Sequence, residues 1–328
     1  MNARIRMSSA VVVALGTAVL AATAPVLAQD RMDKPVRILV GFAPGGTADL
    51  IARVVADKLK DAIGQPVIVE NRPGAAGRIA ADAVKGAAPD GATIMVMPIG
   101  PMAVVPHTLQ SISYDTVKDF TPIGLGATFQ FAFAAGPQSG AKTWGEYVAW
   151  VKANPSKASY ATSAAGSLPH FIGVLLSREL GVDMVHVAYK GSAAYINDLI
   201  GGQVPAAVDA LADLTELHRA GRIRILATSG ATRAAAAPEV PTFAELGVAN
   251  MVASGWFGFF APANTPKAVV DMLNRGINRA LAAPDVVEKL SKLGMDPMTS
   301  TPEEFARIVA SDFAKWGPVV KASGFTAD

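Results

Sequence analysis

Apolar and polar positions first separate clearly over Val36 to Leu59, VRILVGFAPGGTADLIARVVADKL. Val36, Ile38, Leu39 and Val40 form a run with the length of a buried strand. After a turn through Gly41 to Gly46 the period changes. Leu50, Ile51, Val54, Val55 and Leu59 then share one helical face, and Arg53, Asp57, Lys58 and Lys60 take the other. Gly64 and Pro66 stop the helix. The stretch therefore reads strand, Gly-rich loop, helix. Its loop delivers backbone N–H groups at a helix start, where the dipole also favours negative charge. The same glycines also suit an ordinary tight turn. A Walker loop would need Lys before Thr47, and the dinucleotide spacing of glycines is absent.

The pattern continues with a strand over Val67 to Val69, a turn at Asn71 to Gly74, a helix over Gly77 to Ala87 and a strand over Thr93 to Met97. Pro98 to Pro106 reads as a Pro- and Gly-rich loop. A second unit opens near Leu125. Thr143 and Glu146 have capping-box spacing and start a helix to about Lys152. A strand over Ser159 to Thr162, a small-residue loop Ser163 to Ser167 and a helix from Leu168 to Leu180 repeat the logic of the opening stretch. Strands follow over Met184 to Ala188, Val204 to Val208 and Ile223 to Ala227, with helices over Ala193 to Ile200 and Asp213 to Arg219. Gly255 to Phe260 is apolar. Thr265-Pro266 and Thr301-Pro302 look like helix starts, with helices to about Leu281 and Lys315. Strands alternating with helices predict parallel sheets covered on both faces. The two small-residue loops lie at the carboxyl ends of strands, where open α/β sheets bind ligands. Two such edges facing each other make a cleft with an anion site on each wall.

Composition changes the picture at the N-terminus. Arg4 and Arg6 precede an apolar run, Ala10 to Ala22, too short to span a bilayer, and small residues end at Ala28. This predicts a secretory leader, residues 1–28, cleaved between Ala28 and Gln29. The leader takes two of the 29 basic residues and none of the 27 acidic ones, so the remaining chain is formally neutral. That balance argues against nucleic-acid or membrane-surface binding. The 300 residues left suit about two domains. The chain has no cysteine, which excludes disulfides, cysteine metal sites and a lipid-bearing Cys. His107, His170, His186 and His218 are scattered, and the reading calls for no metal and no cofactor.

Several segments together resemble one family. They are APGGTADLIAR (43–53), GQPVIVENRPGAAG (64–77), APDGATIM (88–95), YDTVKDFTPIG (114–124), KANPSKASYATSAAGSLPH (152–170), VAYKGSAA (187–194), LIGGQV (199–204), VPTFAELG (240–247) and SGWFGFFAPANTPKAVVDMLN (254–274). In order and spacing they are similar to the Bug-type, or TctC-type, periplasmic solute-binding proteins of tripartite tricarboxylate transport systems. The resemblance implies a type II-like clamshell of two α/β domains joined by crossing strands near Gly126 to Phe133 and Met251 to Phe259. Domain one would hold residues 29–125 and 257–328, with the C-terminal helices packed back on it, and domain two residues 126–256. It implies a monomer in the periplasm that captures a small carboxylate and meets transporter membrane subunits, or a sensor ectodomain.

In the family, backbone amides, hydroxyls and ordered water hold a ligand carboxylate. Carried onto this sequence, the first wall is Phe42, Pro44, Gly45, Gly46, Thr47, Ala48 and Asp49. The second is Ser163, Gly166, Ser167 and His170, with Asp209 at a nearby strand end. Thr128 and Gln130 lie on the first crossing strand. Asp49 equally suits a helix start as an acidic residue. The sequence departs from the family at Met97-Pro98-Ile99-Gly100-Pro101, where a polar loop is usual, and at Ala92 and Ala188. The apolar loop would suit a ligand with an aliphatic or aromatic body. A hydrolase using Ser163 or Ser167 with His170 is the competing class. It lacks the Gly that a nucleophile elbow needs at Ala161 and an acid to orient the histidine.

Overall fold

The computed structural model describes residues 32–248 and 251–327. The leader, residues 1–28, and Gln29 lie outside the described residues. The elements in order are β1 (Val36–Val40), α1 (Thr47–Ile63), β2 (Val67–Asn71), α2 (Arg78–Lys85), β3 (Thr93–Pro98), α3 (Val105–Thr108) and β4 (Phe120–Ala135). There follow α4 (Trp144–Ala153), β5 (Ser159–Thr162), α5 (Leu168–Leu180), β6 (Val185–Ala188), α6 (Ser192–Ile200), β7 (Ala206–Ala210), α7 (Leu211–Arg219) and β8 (Arg224–Thr228). The chain ends with β9 (Ser254–Pro262), α8 (Lys267–Leu281), α9 (Pro284–Ser291), β10 (Asp296–Pro297) and α10 (Pro302–Ser323).

Continuous apolar runs become central parallel strands because both faces are covered. β1 pairs in parallel with β2 and β3, and β5 pairs in parallel with β6 and β7. Val36, Ile38, Leu39 and Val40 are all buried, as are Thr93 to Met97 on β3. Each fully buried aliphatic side chain contributes roughly 1.5–3 kcal/mol. α1 lays Ile51, Val54, Val55 and Leu59 against β1 and α8, and Gly64 closes it in the left-handed region.

β4 joins the two sets of strands. Its first part pairs with β9, from Phe120 opposite Pro262 to Gln130 opposite Ser254. Its last five residues pair with β7, from Phe131 opposite Ala210 to Ala135 opposite Ala206, and its last four also pair with β8. β9 is antiparallel to both β3 and β4, so β4 runs in the direction of β1 to β3 and leaves their sheet at its carboxyl edge. It enters the second sheet at the carboxyl end of β7. The carboxyl edges of the two sheets therefore meet across Gln130 and Phe131. The returning chain runs beside this crossing. Ser229 N–H donates to the Phe131 carbonyl (2.9 Å), and Ala253 N–H donates to the Ser229 carbonyl (2.9 Å).

Four local expectations need correction. The Pro98 to Pro106 loop is a π-helical turn, Gly100–Val104, followed by α3. Proline at a first helical position is compatible with helix, and burial of Met102, Ala103 and Val104 makes the turn pay. Thr265 does not cap α8; its hydroxyl donates to the Pro262 carbonyl instead, and Pro266 is the N-cap. β7 starts two residues later than the apolar run suggests. α10 does not stop near Lys315 but continues through Pro318 to Ser323, because Trp316, Val319 and Val320 are buried. The capping box at Thr301 and Glu304 forms as read, with both reciprocal hydrogen bonds.

Candidate functional site

The first wall is the turn between β1 and α1. Pro44, Gly45 and Gly46 are exposed, Phe42 and Thr47 are half-buried, and Ala48 and Asp49 are buried. Gly46, the N-cap, supplies no side-chain acceptor, so the first-turn amides of α1 point outward uncapped. Gly45 has a φ of 85°, which a side chain would strain, whereas Gly46 is extended and a Cβ there would meet the Ala43 carbonyl at an ordinary 3.6 Å. Asp49 faces inward rather than into the cleft. Its Oδ2 accepts the Gly45 N–H and the Arg53 Nε–H, both at 2.9 Å, and Oδ1 accepts the Asn71 amide at 2.9 Å. The Arg53 hydrogen bond leads in holding the carboxyl down at about 2, against the effect of burial. Asp49 thus braces the loop, and Asn71 adds a second strut to the Phe42 carbonyl (3.1 Å).

The loop after β2 is more unusual than the turn expected at Asn71 to Gly74. Gly74, Ala75, Ala76 and Gly77 all have positive φ, two of them with a Cβ. Strain of this kind concentrates at functional sites. A Cβ on Gly41 would lie 2.7 Å from the Gly77 Cα, so this loop and the first wall touch backbone to backbone. The clustered RPGAAG at a strand end was the available signal. At β3 the apolar departure is absorbed by the core. Met97 and Ile99 are buried, and only Pro98 and Gly100 are half-exposed.

The second wall is the turn between β5 and α5. Ser167 is the N-cap, but its hydroxyl donates to the Ala164 carbonyl (2.7 Å) and leaves the helix amides uncapped. His170 Nδ1 accepts the Gly166 N–H at 3.2 Å, so its proton sits on Nε2. The ring stacks on His186, with centroids 3.8 Å apart. The Thr162 hydroxyl donates to the Ala164 carbonyl (3.0 Å) and meets His186 Nε2 at 2.7 Å, which makes His186 the donor. Burial pushes both imidazoles down to about 4, so the pair is neutral at pH 7. Among the described residues no hydrogen bond joins either loop serine to His170. Asp209 is buried at the end of β7, and its Oδ1 accepts the Ala210 N–H (2.9 Å). Burial raises its pKa, while the neighbouring Ser163 and Tyr195 hydroxyls pull the other way.

The crossing strand carries the remaining candidates. Gln130 Nε2 donates to the Thr232 carbonyl (3.0 Å) and Oε1 accepts the Gly230 N–H (3.2 Å), so its amide is committed to the returning chain. Thr128 lies between Trp256 and Asp296 in the sheet register. The structure thus gathers two loop clusters on facing edges, with Thr128 and Gln130 at the crossing between them. Among the described residues no group of three or more His, Asp or Glu could hold a metal, and no helix is long and apolar enough to cross a membrane.

Residues 51–325 match the family described as the tripartite tricarboxylate transporter family receptor, TctC. The chain belongs to that family. It is 34% identical to Protein BugT of Bordetella pertussis over 97% of this chain and 98% of that one. It also resembles two solved structures. MatC from Rhodopseudomonas palustris with bound malate is 30% identical (TM-score 0.70), covering 88% of this chain and 99% of that one. R. palustris Rpa4515 with adipate is 31% identical (TM-score 0.73), covering 90% and 98%. The TctC/Bug proteins are periplasmic solute-binding proteins and not enzymes, and the fold is their two-domain clamshell.

Proposed function

We propose that this chain captures a small organic acid between its two loop edges and delivers it to the membrane subunits of a tripartite tricarboxylate-type transporter. The observation that carries the reading is the pair of uncapped helix starts, at Gly46 and Ser167, on facing sheet edges. Neither loop contains a cationic side chain. Amides and hydroxyls therefore carry the ligand's charge, and each charge-assisted hydrogen bond contributes roughly 1.5–3 kcal/mol. The malate and adipate held by relatives support a carboxylate as the ligand class.

In this reading Phe42, Pro44, Gly45, Gly46, Thr47 and Ala48 face Ser163, Gly166, Ser167, His170 and Asp209 across the cleft. Thr128 borders it. Asp49 and Gln130 hold the frame rather than the ligand. Residues 29–125 with 257–328 form one lobe and 126–256 the other. Residues 1–28 are removed on export, and the mature protein is a monomer.

Thermal unfolding with di- and tricarboxylates, aromatic acids and acidic amino acids identifies the ligand, since a cognate acid raises Tm by mass action. Gly46→Val then tests the anchor. The backbone at Gly46 tolerates a side chain, so a loss of affinity reports a clash with ligand. Calorimetry should show at least a tenfold loss, about 1.4 kcal/mol. Lys190→Ala, on an exposed side chain, should change affinity much less. Unaltered affinity in Gly46→Val, or collapse in Lys190→Ala alone, would contradict the reading.

A further inference from the structure

The C-terminal tail is tied down at two points. Gly324 closes α10 with a φ of 70°, and the Ser323 hydroxyl accepts the Phe325 N–H (3.1 Å). Two residues on, the Ala327 N–H donates to the Thr108 carbonyl (2.8 Å) at the end of α3. Between these anchors the Phe325 ring stands edge-on to His170, with centroids 5.3 Å apart and planes at 88°. It makes a similar edge contact with Phe171 at 6.0 Å. A Cβ on Gly166 would lie 2.6 Å from the same ring. The tail thus occupies the space of a side chain that the second wall lacks.

We propose that Phe325 is a positioning residue for the second ligand loop, holding the His170 ring on His186 and thereby setting the Gly166–Ser167 turn that receives the acid. The chain of contact is continuous. Phe325 packs perpendicular to His170, His186 stacks on the His170 ring, and His170 Nδ1 accepts the Gly166 N–H. The titratable groups in contact with His170 are His186 on β6 and Tyr160 on β5, whose hydroxyl donates to the His170 carbonyl (2.9 Å). Neither carries charge at pH 7, so the seat is apolar and depends on packing to exclude water. The helix that bears the tail is itself fastened to the second crossing. Trp256 Nε1–H donates to Asp312 Oδ2 (2.8 Å), and the Lys315 ammonium donates to the Val252 carbonyl.

This rests on the reading that the second loop holds a carboxylate, and the test separates the two. The four histidines are labelled and titrated by NMR in wild type, Phe325→Ala and Phe325→Leu. Affinities for malate and adipate are measured at pH 7 by calorimetry on the same proteins. In wild type His170 should stay neutral down to about pH 5. In Phe325→Ala its apparent pKa should rise by at least one unit as water reaches the ring, and the affinity should fall at least fivefold. Phe325→Leu, which refills the space, should restore most of both. An unchanged His170 titration in Phe325→Ala overturns the proposal, and so does a shifted titration with unchanged affinity. If neither acid binds wild type, malate and adipate are excluded as ligands, and the His170 titration alone then decides whether Phe325 seats the ring.

Discussion

Asp49 sits beneath the first wall with three donors on its two oxygens: Gly45, Arg53 and Asn71. Removing it releases them together. Asp49→Ala should cost about 1–2 kcal/mol of stability, the scale for losing hydrogen bonds to a charged acceptor whose exposed donors can turn to water, and it should weaken acid binding indirectly by loosening Gly45. Chemical denaturation and calorimetry on the variant check both. Wild-type stability in Asp49→Ala would remove the brace. The titrations give a second prediction. A depressed carboxyl contributes stability above its unfolded pKa, and loses it as pH falls from about 4 toward 2. His170 and His186 are buried neutral, so the unfolded chain takes up their protons first. Their contribution is complete above about pH 6.5 and is lost as pH falls toward 4. Tm should therefore drop in two stages on acidification, and His170→Phe should flatten the upper one. A Tm constant from pH 6.5 to 4 would contradict the stacked neutral pair. Arg53 was legible as the i+4 partner of Asp49. Asn71 was not, because a strut 22 residues away depends on which strand lies beside β1.

At the scale of elements, the second wall depends on how closely α5 lies on β5. A Cβ on Gly173 would lie 2.0 Å from the Tyr160 ring, whose hydroxyl also holds the His170 carbonyl. Gly173→Ala should therefore cost about 1–3 kcal/mol by overpacking and shift Ser167 and His170 with the helix. A thermal melt reads the first effect and the His170 resonance the second. A variant as stable as wild type would show that α5 has slack. Most helices and strands were legible from their apolar patterns: α1 buries one helical face, and β3 is a short continuous run buried on both sides. α3 and the end of α10 were not, because Pro106, Gly317 and Pro318 signal a stop locally. Tertiary burial of Met102, Trp316 and Val320 overrides that signal. Phe325 gave no signal either, since an aromatic near a chain end has no period to place it.

At the scale of the whole molecule, the strand order explains why the loops were readable together. β4 leaves one carboxyl edge at Gln130 and enters the other at Phe131, so two weak loop motifs become opposing walls. α10 packs on the turn before α3 and on β4, as expected, and it also reaches α5, while Phe325 beyond its end meets His170 of the second wall. Under the proposed capture of a carboxylate by amides from both walls, only a closed form engages every donor, and ligand shifts the population toward it. Small-angle scattering of wild type and Gly46→Val, with and without the acid chosen by the thermal screen, measures this directly. The account predicts a smaller radius of gyration for wild type with acid and none of that compaction in Gly46→Val at the same concentration. Binding without compaction in wild type, or equal compaction in Gly46→Val, would contradict it.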